Sequence, residues 1–183
     1  MDSKLQIISG KYRGKKLNLP VGARPTQNMA RGALFNMLNE ILDLSRPIKV
    51  WDVFAGSGAF GIECLSRYDN VGVVFTDNSI NSIDIIKKNV KSINCVATIE
   101  KNDAIAVINK FGADADLIFA DAPYSEFDLG VQFVEKLTPV AKSGAILIWE
   151  FEKIQKTPAL DENWEILKDK TYGRARFLIL RRI

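Results

Sequence analysis

Histidine is absent from the 183 residues. Its absence removes the side chain most often used as a general base or metal ligand near neutral pH, and with it Ser-His-Asp hydrolysis and His-ligated zinc chemistry. Cysteine occurs only at Cys64 and Cys95, isolated from one another, so neither a disulfide framework nor a Cys-rich metal site is indicated. No apolar run approaches the roughly 20 residues that span a bilayer, and Met1-Asp2-Ser3-Lys4 lacks a signal peptide's apolar stretch. The expectation is a cytoplasmic protein without membrane or metal partners. Its chemistry must rest on carboxylates, hydroxyls, backbone groups or a cofactor.

Charge is present but uneven. The net value is +3, yet residues 1–31 hold seven Lys or Arg against Asp2, and residues 168–183 hold six against Asp169. Basic ends on an acidic body suit a polyanion, because clustered cations gain by releasing phosphate counterions. Solubilising surface charge explains the same numbers.

Composition is that of a globular protein, 47% hydrophobic and 26% charged, and the length suits one α/β domain over 1–183. Leu5–Gly10 and Lys15–Leu19 flank a Gly- and Lys-rich turn and predict a hairpin. Thr26 then offers an N-cap for a helix to about Leu42, with Met29, Ala33, Met37, Leu38, Ile41 and Leu42 at three- and four-residue spacing. From Ile48 the pattern alternates: strands at 48–54, 71–76, 96–100, 116–121 and 144–150, with helices at 59–68, 79–92, 104–110 and 127–138. Nearly continuous apolar strands between helices predict a parallel sheet covered on both faces. Trp164–Leu167 and Arg176–Leu180 predict two further strands, antiparallel at one edge. The division is therefore an N-terminal hairpin and helix extension, 1–46, on a core, 47–183.

The run Asp52-Val-Phe54-Ala55-Gly56-Ser-Gly58-Ala-Phe-Gly61 turns from an apolar strand into a helix. Glycines there let backbone N–H groups approach a ligand closely. Asp77 follows at the end of the next strand, where a ribose-binding acid belongs. On spacing alone a dinucleotide fits. That reading leaves little chain for a substrate domain and no use for Asp52 or for Asp121-Ala122-Pro123-Tyr124. A mononucleoside cofactor accounts for more: Asp52 facing a cationic amino-acid portion, Asp77 the ribose hydroxyls, Asp103 an adenine amine. Helix or turn capping is the structural alternative for each acid.

Asp121–Tyr124 places a carboxylate, a stiffened turn and an aromatic ring at a strand's carboxyl end, the edge where open α/β sheets bind ligands. With a sulfonium methyl donor the protein mainly positions and polarises. Asp121 and the Ala122 carbonyl accepting the hydrogens of a base amine would aim its lone pair at the methyl. Pro123 stiffens that turn, and Tyr124 stacks on the base, unstacked from its neighbours.

At these residues the chain resembles the bacterial 16S ribosomal RNA guanine-N2 methyltransferases of the RsmD type. The resemblance rests on Ile8–Leu17, on Arg24-Pro25-Thr26 with Arg31 and Leu34-Phe35-Asn36, on the Asp52–Gly61 loop, and on Asp121–Tyr124. It implies a Rossmann-like seven-stranded methyltransferase fold with its last strands antiparallel, S-adenosylmethionine as cofactor, and 16S rRNA, within an assembling or assembled 30S particle, as partner. Carried over by motif, Asp52, Phe54, Ala55, Gly56, Gly58, Asp77, Asn78, Asp103 and Ala104 are cofactor residues; Asp121, Ala122, Pro123 and Tyr124 are catalytic. Arg13, Lys15, Lys16, Arg24, Thr26 and Arg31 are RNA or active-site contacts. Ala122 stands where the family motif carries proline, Gly32 where glutamate is common, and Asn28 where aspartate is common.

Three other readings compete: a nicotinamide dehydrogenase, a non-catalytic RNA-binding module, and an N-methyltransferase acting on DNA adenine or protein glutamine.

Overall fold

The computed structural model describes residues 5–20 and 28–183. Its elements are α1 (Asn28–Ile41), β1 (Ile48–Asp52), α2 (Ala59–Arg67), β2 (Val71–Asp77), α3 (Ile80–Ser92), β3 (Thr98–Lys101), α4 (Ile108–Phe111), β4 (Leu117–Asp121), α5 (Phe127–Leu137), β5 (Ile146–Glu152), β6 (Trp164–Tyr172) and β7 (Ala175–Arg182). The strands form one sheet in the order β3-β2-β1-β4-β5-β7-β6, parallel from β3 to β5, with β7 antiparallel to both β5 and β6. Seven strands, and an antiparallel end, are as the resemblance implies.

Each central strand is buried on both faces, so alternation sorts its side chains into two cores. Val50, Phe75, Leu117, Phe119, Ile146 and Ile148 pack with α1, α2 and α3. Trp51, Val53, Ile118, Ala120, Leu147 and Trp149 pack with α4 and α5. Continuing the period of two, Asp52, Asp77, Asp121 and Glu150 belong to the first face, at the carboxyl ends of β1, β2, β4 and β5. The strand order reverses beside β1, and that is where the crevice of such a sheet opens.

Two elements differ from expectation. The helix expected over 104–110 is confined to Ile108–Phe111, because the Asp103 carboxylate accepts the N–H groups of Ile105 and Ala106 at 2.9 and 3.0 Å and holds 104–107 as a turn. Strand β6 runs to Tyr172 rather than Leu167, with an irregularity between Ile166 and Lys168. It is an edge strand carrying Lys168, Asp169 and Lys170, and such charges blunt an edge while erasing the apolar signal.

The hairpin is a single antiparallel bridge, Gln6 to Lys16, fastened to the helices by side chains. Glu63 of α2, buried, accepts the N–H groups of Ile8 and Ser9, each at 2.9 Å. One turn on, Ser66 Oγ donates to the Ser9 carbonyl at 2.6 Å and accepts the Tyr12 N–H at 3.1 Å.

Candidate active site

The glycine loop is shaped by two close approaches. Gly58, at φ 75°, ends the loop in the left-handed region that favours glycine. At Gly61 a Cβ would lie 2.4 Å from Phe75 Cε1 and 2.8 Å from Val73 Cγ1, so helix α2 can reach strand β2 only without a side chain there. Helix α2 has no side-chain cap on its own Gly58. Asp52, at the end of β1, supplies one: its Oδ2 accepts the Gly61 N–H at 3.0 Å.

A cavity of about 880 Å³ opens along the carboxyl ends of the strands, lined among others by Phe54, Gly56, Asp77, Asn78, Asp103 and Ala104, and by Asp121, Ala122, Pro123 and Tyr124. The cofactor-loop residues and the tetrad therefore share one space. A smaller pocket of about 110 Å³ lies behind it, lined by Asp52, Ala55 and Arg31 and sharing Phe54, Gly56, Asp121 and Glu150 with the larger one.

Asp77 is half-buried and holds the loop, accepting the Gly56 N–H at 2.8 Å through Oδ2 and the Ser79 N–H at 2.8 Å through Oδ1. A carboxylate offers about four acceptor positions, so both oxygens keep capacity toward the cavity. Asp121 is half-buried at the end of β4. Pro123 follows at φ −50°, its carbonyl accepting the Glu126 N–H at 2.7 Å, and residues 124–126 make one 3₁₀ turn into α5. Tyr124 Oη donates to Glu150 Oε1 at 3.1 Å. Glu150 is 2% exposed and is Asp121's register partner on β5.

Crowding of acids dominates the electrostatics. Burial first, and then Glu150 and Asp52, push the Asp121 carboxyl well above its ordinary value. Burial likewise raises Asp52, to about 8, against the opposing Gly61 hydrogen bond. Burial and Glu150 raise the Tyr124 phenol, which stays protonated. Such a site favours a positively charged ligand, which would draw Asp121 back toward its carboxylate.

Some expected site residues lie elsewhere. Gly58 lines neither cavity; a Cβ there would meet Phe75, Ile62 and Ile86, so its place is in packing. Asp52 lines only the inner pocket, turned to Gly61. Arg31 lines the inner pocket rather than the outer surface. It is 2% exposed, with Nη2 donating to the Gln6 carbonyl and the Asn28 side chain and Nε 3.9 Å from Glu63 Oε2, whereas Arg67 is the cation hydrogen-bonded to the buried Glu63, at 2.7 Å. Arg13, Lys15 and Lys16 are exposed on the hairpin, and Lys15 Nζ donates to the Ser92 carbonyl. Arg24 and Thr26 lie outside the described residues. The basic carboxyl-terminal run is no single cationic patch: Arg174, Arg176 and Arg181 pair with Glu152, Asp169 and Glu165.

Glu150 escaped the sequence reading. Its signal was present: strands β1, β2 and β4 each end on an aspartate at this edge, and Glu150 is the first charge after the apolar run Ala145–Trp149.

Residues 5–181 match the model of a family described as conserved hypothetical protein 95. The ribosomal RNA small subunit methyltransferase D of Haemophilus influenzae is 33% identical over 185 residues, covering 92% of this chain and 89% of that protein. Its Escherichia coli counterpart is 28% identical over 184 residues, covering 97% and 90%. Among solved structures, yhhF from Escherichia coli superposes with a TM-score of 0.84 at 27% identity, covering 97% of both chains. A dinucleotide dehydrogenase, allowed by the loop spacing, finds no support in these relatives. The chain belongs to the family described as conserved hypothetical protein 95, and it is a methyltransferase.

Proposed function

We propose that this protein transfers a methyl group from S-adenosylmethionine to the exocyclic N2 amine of a guanine in 16S ribosomal RNA, in the cytoplasm, on an assembling or assembled 30S particle. The observation that carries the reading is the meeting of the glycine loop and the Asp121–Tyr124 turn in one acid-lined cavity. The names of the relatives, ribosomal RNA small subunit methyltransferases, support the acceptor.

The residues present fit the cofactor. Asp77 has acceptor capacity left for ribose hydroxyls. Asp103 keeps its turn through Oδ1 and lines the same cavity, where its other oxygen can accept from an adenine amine. Phe54, Ala55, Asn78 and Ala104 supply walls and backbone groups. S-adenosylmethionine supplies a methyl group on a positively charged sulfur, an electrophile that needs no metal.

The protein's own contribution is positioning and a proton acceptor. The amine lone pair of guanine is delocalised into the ring. Asp121 and the Ala122 carbonyl would accept its two hydrogens and favour a pyramidal nitrogen, whose lone pair would take the methyl group while the electron pair of the broken S–C bond would stay with the donor's sulfur. The alkylated nitrogen would then release its extra proton to the Asp121 carboxylate, the form that a positively charged methyl donor favours. Tyr124, held by Glu150, offers its ring to the base. Residues 1–46 form the RNA-binding extension and 47–183 the catalytic core, with Arg13, Lys15 and Lys16 on the exposed hairpin and Arg24 and Thr26 assigned by resemblance.

Transfer of labelled methyl into unmodified 16S rRNA, free and as 30S particles, followed by nucleoside analysis, tests the reading. Label is expected in N2-methylguanosine, and Asp121→Ala is expected to lower kcat by about a hundredfold or more, the scale of losing one transition-state contact. Equal rates for the two proteins would sink it.

A further inference from the structure

Holding an exocyclic amine does not select guanine. Adenine and cytosine carry amines too, and Asp121 with the Ala122 carbonyl would accept hydrogens from any of them. The difference lies one atom along the edge: guanine presents a ring N1–H donor beside its amine, whereas adenine and cytosine present a ring-nitrogen lone pair.

Glu150 stands where that atom would be read. It is the register partner of Asp121 on the adjacent parallel strand, and strand alternation puts both carboxylates on one face of the sheet. Both line the cavity. Glu150 is 2% exposed, and the Tyr124 hydroxyl, 3.1 Å from its Oε1, fixes that carboxylate relative to the ring expected to stack on the base. We propose that Glu150 accepts the N1–H of the acceptor guanine while Asp121 takes the amine, so that Glu150 is a specificity-determining residue of this site. The inference rests on guanine N2 as the acceptor. A carboxylate here meets a donor on guanine and a lone pair on adenine or cytosine, and an acceptor held against an acceptor repels.

The test compares guanine with 2-aminopurine, which keeps the 2-amine and lacks the N1 proton and the 6-oxygen, at the nucleotide that the labelling identifies, in rRNA ligated around it; the response of Glu150→Gln separates the two losses. The wild-type protein is expected to show kcat/KM roughly ten- to a hundredfold lower on 2-aminopurine, the worth of one hydrogen bond to a charged group. In Glu150→Gln, whose amide can donate to the unprotonated N1, that preference is expected to narrow to within about threefold, with cofactor Kd unchanged. Equal wild-type rates on the two bases overturn the proposal without requiring any variant to fold. So does a Glu150→Gln protein that keeps the full preference. Label in a nucleoside other than N2-methylguanosine would overturn the reaction assignment as well, and is read before any analogue is used.

Discussion

Asn89 and Asn18 exchange hydrogen bonds in both directions: Asn89 Oδ1 accepts the Asn18 N–H at 2.8 Å, and Asn89 Nδ2 donates to the Asn18 carbonyl at 3.0 Å. The same Nδ2 donates to the Ser57 carbonyl at 2.9 Å. One fully buried side chain on α3 thus ties the N-terminal hairpin to the glycine loop.

Asn89→Ala is expected to lower unfolding free energy by about 2–4 kcal/mol, since three hydrogen bonds from one buried amide to part-buried backbone groups are lost. It is also expected to weaken cofactor binding, because Ser57 is no longer held. Urea denaturation and cofactor titration check the two effects separately.

Two helical glycines should respond oppositely to the same substitution. At Gly32 in α1 a Cβ meets nothing within 4 Å, so Gly32→Ala is expected to stabilise by about 1 kcal/mol. At Gly61 the added carbon runs into Phe75 and Val73, and Gly61→Ala is expected to cost about 1–3 kcal/mol through overpacking. Denaturant midpoints measured side by side decide both.

Asp52 makes stability fall as pH rises. Burial holds its folded pKa up at about 8, above the ordinary value of 3.8, so between these values the folded state keeps a proton that the unfolded chain has released. The penalty is absent below the lower pKa, grows across the window and is complete above the upper one. The wild-type protein is expected to melt at a higher temperature at pH 5 than at pH 8, and Asp52→Asn, uncharged throughout, to reduce that difference, leaving the part that belongs to Asp121. Melting temperatures across the window, without cofactor, provide the check.

The hairpin cations should set the salt dependence of RNA binding. Arg13 and Lys15 are exposed, and removing two phosphate contacts is expected to reduce the slope of log affinity against log salt by about 1.5. Cofactor affinity is expected to stay unchanged in Arg13→Ala with Lys15→Ala. Filter binding at several salt concentrations measures the slope.

The sequence by itself determined the elements whose signals are local. Glycine spacing, apolar runs such as Leu117–Ala120, and the strand-then-helix rhythm are written in neighbouring residues, so the parallel strands, α2, α3 and α5 and the loop from Asp52 to Gly61 were legible there. The Asp121–Tyr124 turn was legible for the same reason. Only the tertiary structure decided what depends on residues distant in sequence. Arg31 reads as one more cation of a basic segment, yet the fold buries it, with the Gln6 carbonyl, 25 positions back, accepting its hydrogen bond. Glu150 reads as the end of a strand until the sheet sets it beside Asp121 and the 124–126 turn brings Tyr124 to it. Local pattern fixes which backbone a segment prefers. The strand order, which exists only once the sheet has closed, fixes which charges must share a buried space.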